Sequence, residues 1–337
     1  MINFIQFITT RAFLAIITLL AVSFIVFALM ELVPANCAER YLAFKNTQGS
    51  NITIEDIEAE ERRLGLDRPF LVRWSTWVSN IVIKRDFGNS CILRVRINDL
   101  MKDKFFLSLG ICLTALLLAY LIAVPVGIIS ATTKFRSLDN ALKLISYLGL
   151  AIPNFLLALI IILFSVVFFG DTMTGLFTPE YVNAPWSFDK FKNFLSRAWL
   201  PIFILGWSAT AFALQTVRAL ISDEYEKLYV VAAKARGISG MTLLWKYPAK
   251  HSLGPIINSL GFDLNRIFNE LPIVALILML TESGALLVES LARTNDQQLA
   301  GAIIILLTGT IIMLNFLTDV LLAVIDPRIR KGVMGGS

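Results

Sequence analysis

Residues 105–133 read FFLSLGICLTALLLAYLIAVPVGIISATT, without one charged side chain. A helix needs about 20 apolar residues to cross the hydrocarbon core of a bilayer, because each residue advances it by about 1.5 Å. This stretch exceeds that length and therefore predicts a transmembrane helix. It also decides the class of the fold, since a chain with such a segment has lipid as its main solvent.

Other uncharged runs along the chain pass the same test of length. They are residues 12–30, 144–170, 198–217 and 299–318. A further span is expected at residues 255–281, which are apolar on average but carry three charged side chains in their first half. The sequence thus predicts an all-α integral membrane protein of about six transmembrane helices, forming a single transmembrane domain over residues 1–337.

The composition agrees with a membrane chain. Of the 337 residues only 16% are charged, against about 25% in soluble domains, and the mean hydropathy is +0.72. The net charge of +5 is interpreted as the cytoplasmic-loop bias of membrane proteins and not as a nucleic-acid surface. The three cysteines and the single His251 lack the spacing of metal ligands, so no metal site is expected.

The basic residues in the short loops predict the orientation of the chain. These residues are Lys134, Arg136, Arg218, Lys227, Lys234, Arg236, Lys246, Lys250, Arg328, Arg330 and Lys331. Placing all of them in the cytoplasm leaves both termini there, in a multi-pass membrane protein. The segments 33–104 and 171–197 would then lie outside.

The long segment 33–104 has the marks of a folded insertion. Thr53 followed by Asp56 predicts an N-terminal capping box for a helix that runs to Arg63 and ends near Gly65. Cys37 and Cys91 both fall in this segment. A disulfide between them would be permitted outside the cell, and two free thiols are the alternative.

Prolines interrupt several predicted spans and would break the hydrogen-bond ladder of a helix. They are Pro125, Pro153, Pro201 and Pro272. In a membrane such breaks are tolerated where protein or a water-filled cavity binds the freed carbonyls. They indicate either a polar pathway or simple kinks in a rigid bundle.

Residues 218–254 form a loop that is too structured for a linker. Helix-forming residues lead to Gly237, where a left-handed residue would close a helix, and a second short helix is expected after it. Ala232, Ala233 and Ala235 would let another surface approach closely, with Lys and Arg residues beside them. The loop could dock on an acidic protein partner or on anionic membrane lipid.

The pattern Ala232-Ala233-x-x-x-Gly237 resembles the EAA loop of bacterial ATP-binding-cassette importer permeases, which docks on the ATPase subunit as a coupling helix. The loop often begins with Glu, and Val231 stands there in this chain. The resemblance identifies the residues of an ATPase-coupling loop as Glu224, Tyr229, Ala232, Ala233, Ala235 and Gly237.

The resemblance to the oligopeptide/dipeptide branch of that family extends over nearly the whole chain. Its blocks are residues 64–69, 86–90, 149–155, 196–201, 229–237 and 326–330. It implies a type I importer permease fold in the bacterial inner membrane, with a periplasmic insertion between helices 1 and 2. It also implies a second permease subunit, two P-loop ATPase subunits and a periplasmic substrate-binding protein.

Catalysis is not expected of this chain. It carries no G-x-x-x-x-G-K-[ST] phosphate loop, so the resemblance implies that ATP and Mg are used by partner subunits and that no cofactor is bound here. The expected function is that of a permease for a peptide or peptide-like solute, working by alternating access. An ion-coupled secondary transporter is the alternative, and a membrane-embedded enzyme is a weaker one.

Asp263, Arg266 and Glu270 are spaced i, i+3 and i+7 and therefore share one helix face. In the related permeases this region is mostly uncharged and an acidic residue comes later, near the position of Ala275. Charged groups inside a membrane usually face the bundle or a wet cavity. The three residues could line the translocation path or form an ion cluster that satisfies itself.

Overall fold

The computed structural model describes residues 2–49, 53–170, 172–182 and 184–325, and these are almost entirely helical. The helices are α1 (Ile2–Leu32), α2 (Cys37–Thr47), α3 (Ile54–Leu64), α4 (Phe70–Ser79), α5 (Ile97–Thr132), α6 (Arg136–Ala151), α7 (Asn154–Phe169), α8 (Pro179–Val182), α9 (Phe188–Tyr225), α10 (Leu228–Ala235), α11 (Gly240–Lys246), α12 (Pro248–Ile277), α13 (Ser283–Ala292) and α14 (Gln297–Ile325). A π-helical turn, Asn80–Lys84, extends α4. The prediction of an all-α fold is confirmed.

Among the described residues, four helices are long and apolar enough to cross a membrane: α1, α5, α9 and α14. The pair α6 and α7 passes the same test as one broken span, which gives a fifth. Helix α12 has 30 residues but is not among these spans, because its charged residues dilute its apolar character. Its role as a sixth span stays a prediction.

The predicted single helix over residues 144–170 is wrong, because the chain bends by 95° between α6 and α7. The bend lies at Pro153, and the residue before it, Ile152, is extended with φ −92° and ψ 113°. The proline ring disfavours helical backbone at the preceding residue, which ends α6. The other prolines predicted to disturb spans lie inside helices that continue past them: Pro125, Pro201 and Pro272.

Several helices extend beyond the uncharged runs that predicted them. Helix α9 begins at Phe188, within the segment 171–197 that was expected to be a connection, and α5 begins at Ile97. The loop predicted at 218–254 likewise includes the last residues of α9 and the first of α12. A helix continues into water when its flanking residues favour it, so the end of the apolar run does not mark its end. The tail block 326–330 lies outside the described residues.

The chain divides into two compact units, and the first comprises described residues 2–11, 109–280 and 314–325. Helix α9 packs there against α6, α7 and α12. Gly149 is required for the approach of α6 to α9, since a Cβ atom at this position would lie 2.7 Å from the Cβ of Ala211. Small residues at helix contacts are the usual means of close packing in membrane proteins.

An ion pair adds to this packing at one end of α6. Arg218 on α9 donates from two nitrogens to the carboxylate of Asp139, at 2.7 and 2.9 Å. Lys143 lies 2.6 Å from the same carboxylate, and the hydroxyl of Ser130 donates to it at 2.6 Å. One carboxylate thus joins residues of α5, α6 and α9 through charge-assisted bonds.

The second unit comprises residues 12–108 and 281–313. Its helix α3 begins with the predicted capping box, in which Thr53 and Asp56 each bind the other's backbone N–H. Hydrogen bonds from Thr53 hold the pKa of Asp56 below its usual value. Gly65 ends α3 in the left-handed conformation, with φ +68°. The predicted helix, its start and its end are confirmed.

The cysteines of this unit, Cys37 and Cys91, are joined in a disulfide. The Cys91 backbone N–H also donates to Asp296 at 3.1 Å, and the same carboxylate oxygen accepts the N–H of Leu299 in the first turn of α14. Asp296 is buried, with 1% of its surface exposed. The disulfide and this carboxylate therefore attach the segment between α1 and α5 to the start of α14.

Alkylation of the cysteines tests the disulfide. We expect alkylation of the denatured, non-reduced chain to leave two of its three cysteines unmodified, and reduction to make both of them reactive. Mass spectrometry of the peptides that contain Cys37 and Cys91 measures this directly. Because the bridge closes a loop with a sequence separation of 54, its loss would destabilise the unit by about 4 kcal/mol in the chain-entropy model. Full alkylation without reductant would contradict the disulfide.

Candidate functional site

The loop between α9 and α12 is a helix, a sharp turn and a second short helix, as predicted. Gly237 follows α10 with φ +83°. Its N–H donates to the carbonyl of Lys234 at 2.9 Å, and the N–H of Ile238 donates to the carbonyl of Ala233 at 3.2 Å. These two bonds satisfy the last carbonyls of α10, and the left-handed residue that makes them possible favours glycine.

Helix α10 has one buried and one exposed face. Val230 and Ala233 are fully buried and pack on Leu243 of α11. The exposed apolar residues recur at i, i+3, i+4 and i+7, which places them on one face. They are Leu228, Val231, Ala232 and Ala235, and we call them the α10 stripe. The stripe is an apolar surface that the described part of the chain leaves uncovered.

The residues predicted from the coupling-loop pattern thus divide into two groups. Ala232 and Ala235 lie on the exposed stripe, whereas Ala233 is inside the loop. Tyr229 is less exposed than Ala232 and more exposed than Ala233. Its hydroxyl donates to the carboxylate of Glu224. The ring of Tyr229 is 4.9 Å from that of His251, measured between centroids. These contacts connect α10 to both flanking helices, α9 and α12.

Two neighbouring residues of α11 join the loop to the rest of its unit. Leu243 packs in the cluster with α10, and Leu244 packs in a second cluster with Val217 and Ile221 of α9. The second cluster also includes Ile256 of α12 and partly buried residues of α5. A displacement of α10 would therefore be passed through α11 to α5, α9 and α12.

Basic side chains border the α10 stripe. Lys234 lies over the ring of Tyr225 at 5.1 Å, and the guanidinium of Arg236 donates to the carbonyl of Ala232 at 3.4 Å. Both side chains are exposed. An apolar stripe with cations at its border is suited to a protein surface that presents an apolar groove and acidic residues.

The charged residues of α12 lie in the same unit. Asp263 has no exposed surface. It accepts a hydrogen bond of 2.8 Å from the hydroxyl of Tyr120 on α5, and it forms an ion pair with Arg266 at 3.4 Å. Tyr120 also contacts the hydroxyl of Ser259, at 2.8 Å. The burial of Asp263 is thus compensated by a cation and a hydrogen-bond donor.

Arg266 and Glu270 use different partners. The guanidinium of Arg266 donates to the Ser208 carbonyl at 3.2 Å and lies over the ring of Phe212, 4.6 Å from its centroid. Glu270 accepts a hydrogen bond from the amide of Asn154, the first residue of α7. The three charged residues therefore belong to one polar cluster that connects α12 with α5, α7 and α9.

Sequence reasoning missed the partners in this cluster and the partner of Arg218. Tyr120 stands alone in an apolar run, Asn154 follows a proline, and Asp139 is a single acidic residue near a helix start. A lone polar residue within a predicted span is itself a signal, because it must be satisfied inside the protein. The identity of the partner still depends on tertiary packing.

Arg266→Ala should lower the yield of folded chain, because it leaves the carboxylate of Asp263 buried without its cation. Removal of one member of a buried ion pair costs about 3 to 5 kcal/mol. The double variant Asp263→Asn, Arg266→Gln removes both charges and should recover most of the yield. Size-exclusion chromatography in detergent measures the monodisperse fraction. If the double variant gives a yield as low as that of Arg266→Ala, the loss of the ion pair is not the reason for the low yield.

Gly237→Ala should weaken the loop, because the left-handed backbone costs a residue with a Cβ atom roughly 1 to 2 kcal/mol. A Cβ atom at Gly237 meets nothing within 4 Å, so the penalty comes from the backbone alone. Gly110→Ala in α5 is the matched control, since its Cβ atom also meets open space and its backbone is helical. Amide hydrogen exchange of residues 228–246 should increase in the first variant and not in the second.

The sequence of this chain matches two models of known protein families. The model of the binding-protein-dependent transport system inner membrane component matches residues 123–331, and the N-terminal model of that system's membrane component matches residues 4–94. The first match alone covers more than half of the chain.

Among curated relatives, the oligopeptide transport system permease protein AppB of Bacillus subtilis (strain 168) is 27% identical and covers 96% of this chain and 99% of its own. The glutathione transport system permease protein GsiC of Escherichia coli (strain K12) is 27% identical, covering 93% and 95%. The putrescine export system permease protein SapB of the same strain is 26% identical, covering 77% and 86%.

A solved structure of the MetNI methionine ABC transporter, in an inward-facing conformation, superposes with a TM-score of 0.53. It has 16% sequence identity and covers 67% of this chain and 96% of its own. At this identity the likeness shows the fold alone, which is that of an ABC transporter permease. The family matches confirm the expectation drawn from the loop pattern: this chain belongs to the family of inner membrane components of binding-protein-dependent transport systems.

Proposed function

We propose that this chain forms, with a second permease subunit, the translocation path of an ATP-driven importer for a peptide or peptide-like solute. Two P-loop ATPase subunits dock on the loop between α9 and α12, and a periplasmic binding protein delivers the solute. The family supports the general role, because its members are membrane components of transport systems that depend on a binding protein. ATP hydrolysis belongs to a separate subunit.

The exposed stripe of α10 carries this proposal. It places Leu228 with 85% of its surface exposed and Val231 with 50% exposed on one face of a short helix. Apolar side chains on a helix that protrudes from the bundle are unfavourable in water, since burying them would yield about 25 cal/mol per Å². An ATPase surface that covers the stripe would remove this cost.

The packing below the stripe supports transmission of movement. Because Leu243 and Leu244 join two separate clusters, α11 acts as a rigid connection between α10 and the helices of the bundle. Closure of an ATPase dimer would move α10, and α9 and α12 would follow. A packed interior transmits such displacement because it is dense and hardly compressible.

The cargo is inferred from the relatives. Their names mention oligopeptides, glutathione and putrescine. Two of these cargoes are peptides or peptide-like, and the third is a polyamine with a different direction of transport. A peptide or peptide-like solute that is imported agrees with the larger group. Selectivity among such solutes would be set mostly by the binding protein.

The proposed orientation puts the coupling loop in the cytoplasm, where ATP is available. The loop carries five exposed basic residues, in agreement with the positive-inside bias. They are Lys227, Lys234, Arg236, Lys246 and Lys250. Both termini are then cytoplasmic, and the disulfide-bonded segment after α1 lies in the oxidising periplasm.

The polar cluster of α12 has a second candidate role in the translocation path. Arg266 and Glu270 are only partly buried, so their face would be accessible to a solute passing beside α12. If the double variant Asp263→Asn, Arg266→Gln folds and still transports, the cluster is structural. If it folds normally and transport is lost, the path assignment is supported.

An ion-coupled secondary transporter is the competing function, and the buried charges of α12 favour it. The two functions differ in their need for partners and ATP. The chain should be purified from native membranes in mild detergent, and proteins present in near-equal amounts identified by mass spectrometry. A second permease and P-loop ATPases support the importer. Solute transport by the isolated chain in liposomes without ATP would reject it.

Ala232→Glu should release the ATPase subunits, because it places a carboxylate in the middle of the α10 stripe. Ala59→Glu on α3 is the matched control, since Ala59 is also exposed on a helix and lies in the other unit. We expect at least a tenfold loss of copurifying ATPase from the first variant and none from the second. Tenfold corresponds to about 1.4 kcal/mol of binding free energy.

The folded yield of both variants must match that of the parent chain, because Ala232 has no buried contacts to lose. Equal ATPase recovery from Ala232→Glu and Ala59→Glu would show that the stripe is not the docking surface. Ala232→Ser introduces a small, uncharged side chain, so it should recover as much ATPase as the parent chain does. That result would show that the loss in Ala232→Glu comes from the size and charge of the new side chain.

A further inference from the structure

Two helices of the segment between α1 and α5 expose different surfaces. The exposed residues of α3 are mostly charged, and they include Glu55, Asp56, Glu58, Arg62 and Arg63. This is the surface expected of a helix in water. Helix α4, in the same segment and the same unit, exposes no charged side chain.

The exposed residues of α4 and the π-helical turn after it recur every three to four positions and form one face. They are Leu71, Val72, Ser75, Thr76, Ser79, Val82 and Ile83, and we call them the α4 face. Val82 and Ile83 expose 69% and 76% of their surfaces, and Leu71 exposes 62%. Large apolar residues therefore occupy both ends of the α4 face.

The hydroxyl groups in the middle of the α4 face do not depend on water. Ser75 donates to the carbonyl of Val72 at 3.0 Å, and Thr76 donates to the same carbonyl at 2.7 Å. Such bonds to the helix's own backbone satisfy the hydroxyl without a water molecule. The middle of the face is thus compatible with an apolar environment.

The opposite side of α4 packs on the last turns of α1. The ring centroid of Phe24 is 5.5 Å from that of Trp74, and the centroid of Phe27 is 5.5 Å from that of Trp77. Arg73 donates from two nitrogens to the carboxylate of Glu31, both at 2.7 Å. These contacts fix α4 at the place where α1, a membrane span, reaches its first acidic residue.

The last turns of α1, on which α4 packs, also expose large apolar residues. Ile25, Leu29 and Leu32 expose 55%, 57% and 77% of their surfaces. Since α1 crosses the membrane, these residues meet lipid near the end of the hydrocarbon core. The exposed Lys84 and Arg85 directly follow the α4 face. Lys and Arg side chains beside an apolar helix surface keep their charges in water or at the headgroups, as in other interfacial helices.

We propose that α4 lies in the membrane–water interface, with the apolar residues of the α4 face against lipid acyl chains and Lys84 and Arg85 at the phosphate level. The segment between α1 and α5 is then divided between two environments, with α3 in water and α4 in lipid. Interfacial helices are held by buried apolar area and by attraction to anionic headgroups. This assignment requires only that α1 spans the membrane and is independent of the coupling loop.

Spin labels test the proposal. Val82→Cys and Ile83→Cys probe the α4 face, and Glu58→Cys on the exposed side of α3 is the control. The chain is purified with the subunits that accompany it, labelled with a nitroxide and reconstituted in vesicles of phosphatidylcholine and phosphatidylglycerol. The parent chain, treated alike, gives the background from its native cysteines.

Collision rates with oxygen, which concentrates in lipid, and with a nickel chelate, which stays in water, are then compared. We expect the ratio of oxygen to nickel collisions to be several-fold higher at Val82 and Ile83 than at Glu58. Equal ratios at the three sites would overturn the proposal, because the α4 face would be in water. Labels at both α4 sites that neither reagent reaches would also overturn it, since a protein subunit would then cover the face.

Discussion

Lipid offers no hydrogen-bond partners, so each polar group that enters the membrane must be satisfied by the protein. The backbone meets this constraint by forming helices, which is why the described spans α1, α5, α9 and α14 are helical. Side chains meet it by pairing across helices. Asp263 with Arg266 and Tyr120 connects α12 with α5, and Asn154 connects α7 with α9 and α12. These polar contacts therefore also determine which helix surfaces face each other.

The same constraint explains where the bundle is broken. Pro153 frees backbone groups, and the residue after it, Asn154, forms hydrogen bonds to Ser208 and Glu270. The bend of 95° between α6 and α7 thus brings a polar side chain to α9 and α12. Pro125 and Pro201 lie within continuous helices and show no such bend. Among these prolines, the one that bends the chain is Pro153, and the residue after it has polar partners.

Much of the fold followed from local sequence. The uncharged runs predicted the spans, the Thr53 and Asp56 pair predicted the start of α3, and Gly237 predicted the end of α10. These features depend on residues that are close in the chain. The size of the bend at Pro153 and the burial of Ala233 were not predicted, because they depend on packing between distant residues. The start of α9 at Phe188 was missed although it has a local signal, the N-cap residue Ser187.

The candidate site shows the same division between local and tertiary signals. The loop pattern identified Ala232, Ala233 and Ala235 together, although the structure exposes the first and third and buries the second. A small side chain is needed at these positions for two different reasons. Ala233 allows α10 to pack closely on Leu243, and the exposed pair leaves the stripe flat enough for a second surface. A larger residue at Ala233 would displace α10, whereas one at Ala232 would leave that packing intact, so the two positions separate folding of the loop from the docking proposed for the α10 stripe.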